Sequence, residues 1–304
     1  MFNTYEEMLV MAKKYAPMKI AVAGAHEDTV IQALKDATTA GLVNPILFGK
    51  KDEILKFASE IDYKIDDNSI IDIADPDCCA SEAVKYVSSG KADILMKGIL
   101  QTGTLMKAVF NKEYGLRTDK IISHLFLIKV PGYHKFLSLT DGGINIAPEL
   151  SEQISIIKNA ISFYHLMDLK EPKIAVLGPV ETVSEKIPST LNGAILSKMA
   201  DRGQIKGALI DGPLAFDNAI SMESVREKKI VSDVAGDADV IFVSDIDMGN
   251  GLFKGLVYFA KGVPAAVMLG TKAPVVLTSR ADSAECKFYS IALNVLYAGK
   301  MKEM

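Results

Sequence analysis

The stretch Pro274–Asn294, PVVLTSRADSAECKFYSIALN, decides how the chain is read. Val275, Val276 and Leu277 form a consecutive apolar run with two β-branched residues, the composition of a strand buried on both faces. Farther on, Phe288, Ile291, Ala292 and Val295 recur at helical spacing. Between them lies a polar turn, Thr278 to Ser283, where Asp282 or Ser283 can cap the helix and Glu285 falls in its first turn. Ligands of open α/β sheets bind at the carboxyl ends of strands, where helix amides point. Ser279, Arg280 and Asp282 therefore meet at one such end. A guanidinium there suits a phosphate or a developing oxyanion. The competing reading is a surface turn in which Arg280 pairs with Asp282 or Glu285.

Outward from this stretch the chain repeats the same strand-turn-helix pattern. KIAVA (Lys19–Ala23), PILFG (Pro45–Gly49), Ser69–Ala74 and ADILM (Ala92–Met96) read as strands, with helices between them. The first turn holds only Gly24, so no G-x-G-x-x-G dinucleotide fingerprint is present, and His26 reads as a solvated turn residue. After ADILM comes Lys97-Gly98-Ile99-Leu100-Gln101-Thr102-Gly103-Thr104 and then a helix. Lys97, Gly98, Thr102 and Thr104 thus form a candidate phosphate cradle that is not a Walker A loop. SHLFLIKV (Ser123–Val130) and KFLSLT (Lys135–Thr140) predict an antiparallel hairpin around Pro131-Gly132. Asp141, followed by two glycines, is a candidate ligand contact, because glycine lets a backbone come close. A long amphipathic helix to about Leu166 precedes a second α/β series, in which one strand ends in Asp211-Gly212-Pro213. Another ends in Ser244-Asp245 and leads to a turn at Met248-Gly249-Asn250-Gly251. Alternation of this kind implies mostly parallel sheets, with Asp211 and Asn250 on turns at one sheet edge.

Composition narrows the function. With 34 basic and 38 acidic residues among 304, the net charge of −4 argues against a nucleic-acid protein but leaves room for a local basic pocket. Cys78, Cys79 and Cys286 match neither zinc nor redox spacing and read as reduced thiols of a cytoplasmic protein. No apolar run approaches membrane-spanning length, and the N-terminus reads as an amphipathic helix, not a signal peptide.

These features, taken with further motifs, resemble the phosphate acyltransferases, the phosphotransacetylase/phosphotransbutyrylase family, and its butyryl branch most. The matching stretches are Met96-Lys97-Gly98, NKEYGLR (Asn111–Arg117), Ser123-His124, PSTL (Pro188–Leu191), SKMADRGQIKG (Ser197–Gly207), DGPLA (Asp211–Ala215), Gly249-Asn250 and GTKAPVVLTSRADSAE (Gly270–Glu285). The resemblance implies reversible transfer of a short-chain acyl group between CoA and inorganic phosphate, without a metal or a permanently bound cofactor. CoA, acyl-CoA, phosphate and acyl phosphate are the implied small-molecule partners, and a homo-oligomer is implied, with neither nucleic acid nor membrane as partner. It also implies two α/β domains with an interdomain cleft, of the isocitrate/isopropylmalate dehydrogenase-like kind. Residues 1–145 with 266–304 form the first, and 146–265 the inserted second.

Acyl transfer passes through a tetrahedral oxyanion, which fixed donors must meet. Arg280, Ser279 and the amides of the 279–283 turn stand ready for that. Two departures from the acetyl relatives matter. Where they carry a carboxylate six residues after the Arg, this chain has Cys286, which leaves Asp282 or Glu285 as the base and Cys286 as a core thiol. Where they often carry Arg, it has Lys107, a point charge for a CoA phosphate. The alternatives are an acetyl-CoA-preferring phosphotransacetylase and a non-catalytic CoA-binding protein on the same fold. A metal-dependent two-domain dehydrogenase is poorly served, since Asp211 and Asp245 alone are too few acids.

Overall fold

The computed structural model describes residues 2–304. The chain divides into two compact units, one built from Thr4–Lys120 with Ala265–Met304 and the other from Ile121–Pro264. In the flanking unit, helices alternate with strands: Tyr5–Ala12 (α1), Met18–Ala23 (β1), Asp28–Thr39 (α2), Val43–Gly49 (β2), Lys51–Glu60 (α3), Ile70–Asp72 (β3), Pro76–Ser88 (α4), Ile94–Lys97 (β4) and Thr102–Val109 (α5). The inserted unit contains Ser123–Lys129 (β5), Leu137–Thr140 (β6), Leu150–Leu166 (α6), Lys173–Leu177 (β7), Pro188–Asp201 (α7), Leu209–Leu214 (β8), Phe216–Ile220 (α8), Met222–Glu227 (α9), Val240–Phe242 (β9) and Ile246–Lys254 (α10). The chain then completes the flanking unit with Val263–Leu269 (β10), Val275–Val276 (β11) and Ala284–Lys302 (α11). Among the described residues no helix is long and apolar enough to cross a membrane.

The flanking sheet runs β3-β2-β1-β4-β11-β10. It is parallel from β3 to β11, and β10 is antiparallel to β11. Registers align Ala23 with Lys97, and Met96 with Val276, so three strands end side by side. The strand centres are apolar because helices cover the sheet: Ile20, Val22, Ile94, Leu95, Val275 and Val276 are all fully buried. α11 is the central helix. Ile291 to Ala298 are buried without interruption, and Tyr289 stacks on Tyr5 of α1 with ring centroids 3.9 Å apart. Each large side chain buried here contributes roughly 1.5–3 kcal/mol.

The inserted sheet runs β5-β6-β9-β7-β8 and is parallel from β6 to β8. β5 and β6 form the expected antiparallel hairpin. They pack with the inserted unit, although the sequence reading grouped residues 121–145 with the first domain. The cause is the long-range ladder from Ser138–Thr140 of β6 to Val240–Phe242 of β9, which no local pattern encodes. Two further expectations are corrected. Asp211 lies inside β8 rather than at its end, because Gly212 fits where a Cβ would come 2.7 Å from Val176 Cβ and lets the strand continue through Pro213. Asn250 lies on α10 rather than in a turn. Asp245 caps that helix by accepting the Met248 amide, and Gly249 is needed there because a Cβ would come 2.7 Å from Gly142 Cα.

Candidate active site

The turns after β1, β4 and β11 converge at the carboxyl edge of the flanking sheet, and their crossing depends on glycine. The Gly98 amide donates to Ala23 O (2.8 Å) and the Ile99 amide to Gly24 O (2.9 Å). A Cβ on Gly98 would sit 1.9 Å from Gly24 O, so Gly98 is required by backbone packing between two strand ends. Lys97 is buried beside it and donates to the carbonyls of Gly98 (2.9 Å) and Leu100 (3.2 Å). Two of its three donors thus shape the loop that leads into α5.

The 278–283 turn is held from two sides. Asp282 accepts the Ser279 amide at 2.7 Å, and the Ser283 hydroxyl caps α11 by accepting the Cys286 amide. Lys287, one turn into α11 and 1% exposed, donates to Asp282 O (2.7 Å) and Ser279 O (3.3 Å), and its ammonium lies 3.6 Å from the Glu27 carboxylate. Arg280 projects from this turn, exposed, with no hydrogen bond or ion pair among the described residues. The pairing with Asp282 or Glu285 that a plain surface turn would show is not made. Arg280 also lines a cavity of about 430 Å³ together with His26, Lys50, Pro76, Leu100 and Thr104.

The other predicted residues fall into three places. Thr102, exposed, opens α5, and Lys107, exposed in its last turn, borders a second cavity of about 280 Å³ with Thr104, Cys78 and Tyr114. Glu285 is exposed in the first turn of α11, where its charge acts on Tyr5, Tyr289 and Cys286. Asp141, Asp211 and Asn250 are carried by the inserted unit. There the buried Asp141 carboxylate accepts the amides of Gly143 (2.9 Å) and Ile144 (3.1 Å), so it organises its own loop. The Asp211 carboxylate accepts the Gly212 amide (2.8 Å) and the Ser197 hydroxyl (3.4 Å). Burial pushes the Cys286 thiol up, which disfavours a nucleophilic thiolate, and pushes Cys79 up to about 11. Among the described residues no cluster of three or more His, Cys, Asp or Glu is arranged to hold a metal ion.

Residues 79–295 match the family described as phosphate acetyl/butaryl transferase. The chain belongs to that family. It is 43% identical over 302 residues to the phosphate butyryltransferase of Clostridium beijerinckii, covering 99% of this chain and 100% of that protein. It is also 43% identical over 292 residues to the phosphate acetyltransferase of Thermotoga maritima, covering 96% and 99%. The crystal structure of a branched-chain phosphotransacylase from Enterococcus faecalis V583 is similar in fold, with a TM-score of 0.81, 33% identity, and 92% and 99% of the two chains covered.

Two charged residues at this sheet edge have no place in the sequence analysis. Lys287 left a signal there: it precedes Ile291 by four residues and so falls on the apolar stripe of α11, where a lysine is unusual. Glu27 left none, since a carboxylate before a helix reads as an ordinary cap.

Lys97 gives this site a pH signature. Burial lowers its ammonium to about 8; the Glu27 carboxylate opposes that shift, the Arg280 and Lys287 cations add to it, and Asp282 opposes it. The cation is complete well below pH 8 and lost as pH rises through it. Phosphate is mostly the dianion by that pH, so kcat/KM for phosphate is expected to fall along an alkaline limb centred near pH 8. A flat profile from about pH 7 to 9.5 would remove Lys97 from phosphate binding.

Proposed function

We propose that this chain moves a four-carbon acyl group between CoA and inorganic phosphate, using the turns at the carboxyl edge of its flanking unit. The reaction class is that of the family: acyl-CoA plus phosphate gives acyl phosphate plus CoA, reversibly. A phosphate oxygen attacks the thioester carbonyl carbon, and the carbonyl π pair moves onto oxygen. As the tetrahedral intermediate collapses, the C–S bond breaks and CoA leaves as the thiolate. Arg280 meets the oxyanion, and the Ser279 hydroxyl, which accepts the Ala281 amide at 3.3 Å, keeps its own proton to donate. In the reverse direction the thiolate attacks the acyl phosphate and phosphate departs.

The observation that carries this reading is the uncommitted guanidinium of Arg280, held on a turn whose neighbouring charges are engaged. A donor with no internal partner, carried by a turn fixed at both ends, is available to meet charge that appears only during reaction. The 43% identity to a phosphate butyryltransferase supports the four-carbon substrate, while the equal identity to a phosphate acetyltransferase favours acetyl-CoA as the second reading. Acetyl-, propionyl-, butyryl- and isobutyryl-CoA compared in parallel separate the two. One methylene is worth about 1–3 kcal/mol, so four-carbon substrates are expected to lead acetyl-CoA by at least about tenfold in kcat/KM. A lead for acetyl-CoA would keep the reaction and overturn the four-carbon assignment.

A further inference from the structure

Glu27 occupies the N-cap position of α2, yet its side chain accepts no amide of that helix. An acid at this position ordinarily turns toward the N2 or N3 amide. Here the carboxylate is turned inward and only 11% exposed, with Oε1 3.6 Å from Lys287 Nζ. Oε1 also accepts the Thr29 hydroxyl at 3.0 Å, and Oε2 is buried without any hydrogen-bond partner. A buried carboxylate oxygen left unpaired is costly. Forgoing a helix cap adds to that cost, so the inward orientation needs a compensating role.

We infer that Glu27 is a positioning residue for acyl transfer, an inference that rests on the function proposed above: Glu27 holds Lys287, Lys287 holds the carbonyls of Ser279 and Asp282, and those carbonyls bracket Arg280. The chain of contacts ties the end of β1 to the turn after β11 through one buried cation. Removing the carboxylate leaves that cation buried beside Lys97 and Arg280 with less opposing charge. The charged groups that face Lys97 are Glu27 from the turn after β1, Arg280 and Asp282 from the turn after β11, and Lys287 from α11. Within its own turn Glu27 also faces His26, which Lys50 and Glu53 at the start of α3 face as well. Glu27 therefore acts on the edge twice, by geometry through Lys287 and by charge on Lys97.

Phosphate-dependent release of CoA from butyryl-CoA, measured from about pH 6 to 9 for the wild-type protein, E27Q and E27D, tests this role. E27Q keeps the shape and removes the charge. Its kcat at pH 7 is expected to fall by about tenfold or more, with the butyryl-CoA KM within about threefold. Its alkaline limb is expected to move to lower pH, because the Lys97 ammonium loses a stabilising anion. E27D keeps the charge but is one methylene short of Lys287. Its limb should stay in place while kcat falls several-fold, and it decides the matter if E27Q does not fold. Wild-type kcat in E27D, or an E27Q profile with an unmoved limb, would overturn the role. Failure of the wild-type protein itself to release CoA would sink the underlying function, and this role with it. Wild-type release alongside an unchanged E27Q would sink this role alone.

Discussion

Arg280→Ala is expected to lower kcat by about 10²–10³-fold while leaving the protein folded. The size follows from the loss of a single oxyanion donor, which costs about 2.7–4 kcal/mol of transition-state stabilisation. The selectivity of the effect follows from the surroundings. Arg280 is exposed and makes no internal hydrogen bond or ion pair among the described residues, while the turn beneath it is held by Asp282, Ser283 and Lys287. Its removal should therefore change stability by no more than about 0.5 kcal/mol. Because the interaction belongs to the transition state, kcat and kcat/KM should fall together. Arg280→Lys should recover part of the loss, since a lysine keeps the charge but not the fork. A folded Arg280→Ala protein that retains more than about a tenth of the wild-type turnover would rule the oxyanion role out.

Gly98→Ala is expected to cost about 2–6 kcal/mol of stability, measured by urea unfolding. The added Cβ would lie 1.9 Å from Gly24 O, 2.6 Å from Gly24 C and 3.1 Å from Ala23 O. All three are backbone atoms of a neighbouring strand end, so no side-chain rotation relieves the clash. The turns must separate, breaking the Gly98–Ala23 and Ile99–Gly24 hydrogen bonds, at about 1–3 kcal/mol for each buried group left unpaired. Gly103→Ala is the matched control. Gly103 is exposed within α5, and a Cβ there meets nothing within 4 Å, so that variant should be neutral or gain about 0.5–1 kcal/mol of helix stability. A Gly98→Ala protein within about 1 kcal/mol of wild type would show that the two strand ends are not packed through this glycine.

The contrast between these glycines shows what kind of information the sequence carries. Local periodicity and caps were legible: the strand at Val275-Val276, the helix after it with Ser283, one of the two candidate caps, at its start, the strand before Lys97 and the hairpin around Pro131-Gly132 are all present. The mostly parallel α/β architecture followed from the same alternation. Long-range contacts were not legible. Gly98 looked like part of a phosphate cradle, yet its need arises from Gly24, more than seventy residues earlier. Gly249 and Gly212 looked like turn residues, but each sits within a regular element because another backbone or side chain approaches it. The hairpin's partner, β9, lies about a hundred residues downstream, so no local pattern assigns the hairpin to a unit. Ser279, Arg280 and Asp282 stand out as candidates in the sequence because they share one turn. Glu27 does not stand out, because its contact with Lys287 is made across the sheet edge.

Acyl transfer to phosphate is tested most simply by CoA thiol release from butyryl-CoA by the wild-type protein, with and without inorganic phosphate. Release is expected to require phosphate, to saturate with it and to yield butyryl phosphate in equal amount. Release at the same rate without phosphate would mean hydrolysis instead of transfer, and no release under either condition would contradict catalysis at this edge.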